Sequence, residues 1–203
     1  MTLKVKISKK LIPYKTAISF LEKRVDLLKK GKNNDLLWIL EHPLTFTQGI
    51  RSKDNEILDK KIKITRTKRG GKITLHNPGQ KVVYIALDLN SKKKDIRNLI
   101  QKIELSIIEF LKLYKINAKA DKKNIGVWVK KKKIAAIGLR VTRWIAYHGC
   151  SINIDNNLDY YKKIIPCGLD NNKITSVKKE SNIIIQNIEV KLKNIFLKNL
   201  KNI

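Results

Sequence analysis

Residues 126–154 read GVWVKKKKIAAIGLRVTRWIAYHGCSINI, and this stretch decides the class of fold. It holds three runs of strand-forming residues in succession, GVWVK, KIAAIGLRV and WIAYHGCSINI. Runs rich in β-branched and aromatic residues, separated by only a few residues, are typical of strands joined by hairpins. We therefore expect three consecutive strands of one sheet in this part of the chain.

The residues before this stretch show both helical and strand patterns. Apolar residues at helical spacing predict a helix over residues 13–30, ended by Gly31, and a longer helix from Ile96 to Tyr114. A weak alternation runs over residues 61–66. Three further sequences predict strands: DLLWILE from residue 35, KITLH from residue 72 and QKVVYIALDL from residue 80.

The carboxyl-terminal part predicts a closing helix, which we expect to start at about Ser181 and to cap the domain. Strands grouped in blocks between a few helices favour a mixed sheet flanked by helices over a repeated βαβ fold. No linker-like segment interrupts the chain. We therefore expect residues 1–203 to form one domain of the α/β class, with an α+β-like arrangement.

Composition excludes several classes of protein. The chain has 203 residues, of which 42% are hydrophobic and 31% are charged, so it is too apolar for a disordered protein. No apolar run approaches the roughly 20 residues of a membrane-spanning helix, and the amino terminus has no apolar segment typical of a signal peptide. We therefore expect a cytoplasmic protein. Cys150 and Cys167 are the only cysteines, and this low number without a sign of secretion argues against a disulfide framework. Their spacing, without a CxxC pair or clustered histidines, argues against zinc.

The net charge is +28, from 45 basic and 17 acidic residues, and such a charge attracts polyanions and acidic proteins. A nucleic-acid-binding protein is one interpretation. However, few of the basic residues are arginines, which read bases and phosphates, and the aromatic residues are not interleaved with the basic runs. Two explanations of the lysine excess stay open: a basic docking surface, and a drift in composition that places lysine on exposed faces.

Cys167 stands between Pro166 and Gly168, a setting that presents a side chain at a bend of the backbone. A nucleophilic cysteine must be a thiolate, and the usual pKa of about 8.5 must be lowered by a nearby cation or imidazole. His42, His76, His148 and many lysines are candidates, and the residue pattern does not choose among them. Cys150 lies within a strand pattern, where a free cysteine usually fills space in the core.

Two sharp turns flank the short predicted strand KITLH. The first, Arg69-Gly70-Gly71-Lys72, leads into a strand and not into a helix, so it does not fit a dinucleotide or phosphate-binding loop. Adjacent glycines let the backbone approach a carbonyl group or an acyl chain, although a plain tight turn explains them equally well. The second turn runs from His76 to Gln80, and together the two turns suggest a walled pocket.

Several motifs in a fixed order resemble the lipoyl(octanoyl) transferase family. They are EHPLTFTQG from residue 41, RGGKITLHNPGQ from 69, GVWV from 126, KIAAIGLRVTRW from 133, YHGCSINI from 147, IIPCGL from 164 and ITSV from 174. The resemblance implies the catalytic-domain fold of biotin and lipoate protein ligases. It also implies transfer of an octanoyl group from acyl carrier protein to a lysine of a lipoyl domain, in 2-oxoacid dehydrogenase complexes or the glycine cleavage H protein. No cofactor or metal is implied, because the donor is already activated.

The same resemblance assigns roles to individual residues. Cys167 is the expected nucleophile, and Lys133 is expected to lower its pKa and to transfer protons. The expected acyl-binding wall consists of Arg69, Gly70, Gly71, Lys72, Ile73, Thr74, Leu75, His76, Ala136, Ile137, Gly138, Gly149, Cys150 and Ser151. The alternative activity on this fold is that of an ATP-dependent lipoate or biotin ligase, which forms an acyl-adenylate and needs no cysteine at position 167.

Overall fold

The computed structural model describes residues 3–121, 124–166, 173–184, 186–201 and 203. Its strands are β1 Lys4–Ile7, β2 Leu36–Leu40, β3 Thr45–Gln48, β4 Ile64–Arg66, β5 Thr74–His76, β6 Gln80–Asp88, β7 Ala118–Ala120, β8 Val127–Val129, β9 Lys132–Thr142 and β10 Ile145–Asn153. Its α-helices are α1 Tyr14–Lys29, α2 Ile96–Lys112, α3 Val177–Glu180 and α4 Ile188–Leu200, and short 3-10 helices cover Asp54–Glu56 and Asp159–Lys163. No helix among the described residues is both long and apolar enough to cross a membrane.

The main sheet has seven strands in the order β1-β2-β6-β10-β9-β8-β7. The β1–β2 pair is parallel and the other pairs are antiparallel, so the sheet is mixed, as the sequence predicts. The hairpin pattern over residues 126–154 is also confirmed, because β8, β9 and β10 are consecutive antiparallel neighbours. A smaller sheet of three strands, in the order β4-β3-β5, lies beside it.

Helices cover both faces of the main sheet. One face packs against α2 and α4 through the largest apolar cluster, which includes Ile85, Phe110 and Phe196. The other face packs against α1 through a second cluster, which includes Leu21 and Trp38. Successive apolar side chains of β6 point alternately into the first and the second cluster. The strand is therefore buried along most of its length.

The sequence patterns miss three strands. All four residues of β1 are exposed, so its sequence KVKI carries no burial pattern, and it is held at the sheet edge by parallel pairing with β2. β3 and β7 are only four and three residues long, which is too short for periodicity to identify. Pairing with neighbouring strands, and not local sequence, fixes these elements.

The predicted start of the closing helix at Ser181 is wrong. α4 begins at Ile188, and Ser181 instead follows the short helix α3. The Ser181 hydroxyl donates a hydrogen bond of 2.8 Å to the carbonyl oxygen of Tyr114, near the end of α2. Its side chain therefore stabilises a contact between segments and does not cap a helix.

Candidate active site

A cavity opens between the main sheet and the small sheet, and we refer to it as the acyl cavity. It brings together most of the predicted wall: Arg69, Gly71, Lys72, Thr74, His76, Ala136, Ile137, Gly138, Gly149, Cys150 and Ser151. Four residues absent from the predicted wall also line it: Tyr14, Val82, Tyr84 and His148. Val82 and Tyr84 could have been identified from the sequence, because they alternate along β6 and their side chains therefore point to the same face of the sheet, the one that carries the cavity.

Small residues on adjacent strands make the floor of the acyl cavity. Gly149 of β10 pairs with Gly138 of β9, and Ser151 pairs with Ala136. A Cβ atom at position 149 would lie only 2.0 Å from the carbonyl oxygen of Val83. The backbones of β10 and β6 therefore approach so closely here that only glycine fits, and the floor is largely backbone.

Three residues of the predicted wall do not line the cavity. Ile73 and Leu75 are fully buried in a third apolar cluster together with Phe46. They alternate with the cavity-lining Thr74 along the strand, so their side chains point to the opposite face of the small sheet. The backbone N–H of Gly70 donates to the carbonyl oxygen of Leu139 at 3.2 Å, which fastens the glycine turn to β9.

The Arg69 guanidinium is buried in the cavity wall. It donates hydrogen bonds to the carbonyl oxygen of Thr47 at 2.9 Å, to the Thr47 hydroxyl at 2.8 Å and to the carbonyl oxygen of Gly70 at 3.0 Å. No carboxylate among the described residues forms an ion pair with it. Its positive charge therefore acts on the cavity: burial is the main cause that lowers the pKa values of His76 and His148, and the Arg69 charge lowers them further, whereas at Tyr14 it opposes a rise in pKa caused by burial.

The three histidines are neutral parts of the same region. Nδ1 of His42 contacts the carbonyl oxygen of Ile12 at 2.6 Å, so this nitrogen is the donor, and Nε2 accepts from the Tyr84 hydroxyl at 2.9 Å. Nδ1 of His76 donates to the side-chain oxygen of Gln80 at 2.7 Å. Burial is the main cause that lowers the pKa to about 4 for His42 and to about 3 for His76 and His148.

The two cysteines have different environments. Cys150 is buried and unpaired by any disulfide, and burial raises the pKa of its thiol far above the usual value. Cys150 is part of the main apolar cluster, as its position in a strand pattern suggests. Cys167, the predicted nucleophile, and Gly168 lie outside the described residues.

Lys133 is buried near the start of β9 and lines a small second cavity, which we call the lysine cavity. Pro166 and Ile174 line the same cavity. Ile174 forms an isolated parallel bridge with Lys133. The lysine cavity and the acyl cavity share Thr74, Ala136 and Ser151, so the two spaces adjoin.

The Lys133 side chain extends past Gly126. A Cβ atom at position 126 would lie 2.5 Å from Cε of Lys133, and the φ angle of Gly126 is +137°. The Lys133 ammonium lies 5.2 Å from the centre of the Trp128 ring and forms no hydrogen bond or ion pair within the described part of the chain. Burial raises the pKa of Glu104, while the Gly126 N–H and the charge of Lys133 oppose that rise. Within the described residues, the Lys133 ammonium therefore has the Trp128 ring and the charge of Glu104 as neighbours but no hydrogen-bonded partner.

Comparisons with known proteins agree with this architecture. Residues 13–197 match the family model described as lipoyl protein ligase A/B catalytic domain. An octanoyltransferase of Anaplasma marginale (strain Florida) is 39% identical over 179 residues, covering 85% of this chain and 84% of that protein. An octanoyltransferase of Ehrlichia chaffeensis is 38% identical over 198 residues, covering 94% of this chain and 92% of that protein.

Solved structures share the fold at low sequence identity. A lipoate-protein ligase A bound with ATP superposes with a TM-score of 0.77 at 13% identity, covering 98% of this chain and 86% of that chain. A bipartite lipoate protein ligase from Thermoplasma acidophilum, studied with its E2 lipoyl domain, gives a TM-score of 0.74 at 14% identity, covering 100% of this chain and 85% of that chain. These likenesses confirm the predicted fold of the lipoate and biotin protein ligases.

Proposed function

We propose that this chain, which belongs to the family of lipoyl protein ligase A/B catalytic domains, is an octanoyltransferase that acts in protein lipoylation. Its relatives at close to 40% identity carry that activity in their names and match over most of their length. The family match over residues 13–197 supports the further proposal that residues 1–203 form one catalytic domain. We propose the cytoplasm as its location.

One observation carries the proposed catalytic pair. Pro166, which precedes Cys167, and Ile174 both line the lysine cavity beside Lys133. The described residues on both sides of the segment that contains Cys167 therefore lie next to this lysine. A buried ammonium without an ion-pair partner among the described residues would favour the thiolate form of a nearby cysteine.

The proposed reaction has two halves. The Cys167 thiolate attacks the carbonyl carbon of an octanoyl thioester, a new C–S bond forms, and the donor thiolate leaves and takes a proton from the Lys133 ammonium. A lysine amine of the acceptor then attacks the enzyme thioester. The C–N bond forms, the bond to Cys167 breaks, and neutral Lys133 removes the proton from the amine. The product amide is more stable than the thioester, so the second half proceeds downhill.

The neighbouring acyl cavity suits the octanoyl chain. Its walls carry apolar or small residues such as Val82, Ala136, Ile137 and Gly149, and it adjoins the lysine cavity. An acyl chain bound there would place its thioester carbon at the Lys133 end. Burial of each methylene group would contribute about 0.8 kcal/mol to binding.

We propose octanoyl-acyl carrier protein as the donor and lipoyl domains of 2-oxoacid dehydrogenase complexes or the glycine cleavage H protein as acceptors. Acyl carrier proteins are acidic, and the net charge of +28 favours their association with this chain. The proposed reaction needs neither ATP nor a metal ion, since the thioester donor is already activated.

The test is to incubate the purified protein with octanoyl-acyl carrier protein and to measure its intact mass. An octanoyl adduct that hydroxylamine removes is the expected result. Cys167→Ser should abolish the adduct, whereas Cys150→Ser, the matched control at the buried thiol, should retain it. Full transfer to a lipoyl domain by Cys167→Ser would contradict the covalent mechanism, and a strict requirement for ATP would identify a ligase instead.

A further inference from the structure

Tyr14 and His148 stand between the acyl cavity and a second cleft. Both residues line the acyl cavity, and both also line a cleft between the start of α1 and β4. Glu22, Arg66 and Lys68 line this cleft, so its surroundings are polar and charged. The two aromatic side chains therefore form a partition between the acyl cavity and a cleft with more polar surroundings.

The order of residues along β10 places this partition at the far end of the acyl cavity. Asn153 and Ser151 line the lysine cavity, Ser151 and Gly149 line the acyl cavity, and His148 lies at the partition. At about 3.4 Å per residue, the distance from Ser151 to His148 is roughly 10 Å. This length is comparable with that of an extended eight-carbon acyl chain.

The backbone turns the His148 side chain toward the cavity. Consecutive residues of a strand normally point to opposite faces, yet the rings of Tyr147 and His148 lie on the same side of β10 and His148 lines the acyl cavity. The φ angle of His148 is +68°, in the left-handed region, and its ring stacks on that of Tyr147 with centroids 4.9 Å apart. Such a conformation is uncommon for a residue other than glycine, and it persists only where the surrounding structure holds it.

The partition is polar and incompletely hydrogen-bonded. The Tyr14 hydroxyl, Nε of Arg69 and Nδ1 of His148 are buried and have no hydrogen-bond partner among the described residues. Thr67 and Arg69 still lie close enough to the Tyr14 hydroxyl to lower its pKa, although burial raises that pKa overall. An acyl methyl group pressed against these atoms cannot hydrogen-bond to them, so contact with hydrocarbon is less favourable at this end than along the apolar walls of the cavity.

We propose that Tyr14 and His148, with Arg69 beside them, form a polar end stop that limits the length of the acyl chain. The end stop rests on the proposed function, since it concerns the selectivity of the same cavity. An eight-carbon chain ends before the partition, whereas a longer chain must either displace the Tyr14 and His148 side chains or contact their polar atoms.

The test compares donors with acyl chains of 8 and 12 carbons in the wild type, Tyr14→Phe and Tyr14→Ala. The 12-to-8 ratio of kcat/KM should rise roughly fivefold or more in Tyr14→Phe, which removes the hydroxyl but keeps the ring. The ratio should rise further in Tyr14→Ala, which joins the two spaces. Tyr114→Phe is the matched control, because its hydroxyl is also buried without a partner in the described structure but lies in the main core. Its ratio should equal that of the wild type.

A second measurement separates this proposal from the proposed function. It is the binding, by calorimetry, of the neutral methyl esters of the fatty acids with 8 and 12 carbons. The 12-to-8 affinity ratio should change in the same variants even if no acyl transfer is detected. An unchanged ratio in Tyr14→Phe would overturn the polar contribution. Ratios unchanged in both variants, with wild-type thermal unfolding, would overturn the end stop itself.

Discussion

The backbone N–H of Thr175 donates a hydrogen bond to the carbonyl oxygen of Lys133 at 3.0 Å. Together with the bridge between Lys133 and Ile174, this bond attaches the segment after residue 172 directly to the start of β9. Thr175 is buried, so solvent does not compete for the bond. The position of the proposed general acid and base is therefore fixed by the same segment that follows the proposed nucleophile.

Replacement of Lys133 by methionine should slow octanoyl transfer by about 10²- to 10⁴-fold, because the ammonium transfers protons in both halves of the proposed reaction. The pH dependence of alkylation of Cys167 by iodoacetamide should also shift, with the apparent thiol pKa moving up toward about 8.5. The exposed neighbour Lys132 is the control. Lys132→Met should change neither the rate of octanoyl transfer nor the pH dependence of alkylation. An unaltered alkylation profile in Lys133→Met would argue against the pairing of these two groups.

Gly126→Ala should reduce both stability and activity. The new Cβ atom would lie 2.5 Å from Cε of Lys133 and 2.7 Å from the carbonyl oxygen of Ala135, in a backbone with φ of +137°. The strained backbone alone should lower the free energy of unfolding by about 1–3 kcal/mol, measured in urea.

Gly31→Ala separates strain from steric displacement in this experiment. Gly31 also has a positive φ, +65°, but no atom lies within 4 Å of its added Cβ. This control should be destabilised with its rate of transfer retained. Equal activity of folded Gly126→Ala and Gly31→Ala would show that the position of Lys133 is not critical.

Acid should destabilise the fold in the range from pH 6.5 down to about pH 4. The pKa values of His42, His76 and His148 are lowered to about 4, 3 and 3, whereas the unfolded chain has ordinary histidines. The unfolded state therefore binds more protons in this range, and stability is lost as the pH falls below 6.5. Each histidine should contribute a slope of about 1.4 kcal/mol per pH unit.

Urea unfolding at pH 7, 6 and 5 measures this effect. His148→Asn removes one of the three groups, and asparagine tolerates the left-handed backbone at this position. The slope of this variant should be about one-third smaller than that of the wild type. A stability that does not depend on pH in this range would mean that the histidines are not buried as neutral groups.

Transfer from acyl carrier protein should slow as ionic strength rises, because charges at the surface are screened over about 10 Å at 0.1 M salt. Lys130, Lys131 and Lys173 line a groove beside Trp128 and form no ion pairs among the described residues. Lys130 and Lys131 are also close in sequence to Lys133. Lys130→Glu with Lys131→Glu should therefore raise KM for the protein donor.

Two charge reversals, Lys23→Glu on α1 with Lys30→Glu directly after it, change the net charge equally and serve as the control. They should affect KM less than the reversals near Trp128. A neutral small thioester donor should respond to neither pair nor to salt. Equal effects of the two pairs would favour drift in composition as the explanation of the lysine excess over a defined docking surface.

The sequence predicted the parts of the fold that carry strong periodicity. The helix from Tyr14, the long helix from Ile96 and the three hairpin strands are confirmed, because their apolar patterns match the faces that they bury. It could not predict β1, whose residues are exposed, or the start of α4, because the Ser181 side chain bonds to a distant carbonyl. These features depend on tertiary contacts that no local pattern encodes.

Most of the cavity wall was found from ordered motifs, but its far end was not. Tyr14 lies some 55 residues before Arg69 in the chain, and only the packing of α1 on β6 and β10 brings it to the cavity. His148 was one of three candidate imidazoles, and its position depends on a backbone angle that the sequence does not reveal. Strand alternation also decides which residues of a motif line the cavity. It turns the side chains of Ile73 and Leu75 away from the cavity and into the third apolar cluster.

The contact between Gly149 and the carbonyl oxygen of Val83 limits how the substrate range can change. Because the base of the binding space is made by main-chain atoms, neither natural variation nor protein engineering can reshape it by side-chain substitution without separating β10 from β6. New acyl specificities on this scaffold must therefore arise at the walls and at the ends, where Val82 and Tyr14 provide side chains that can be exchanged.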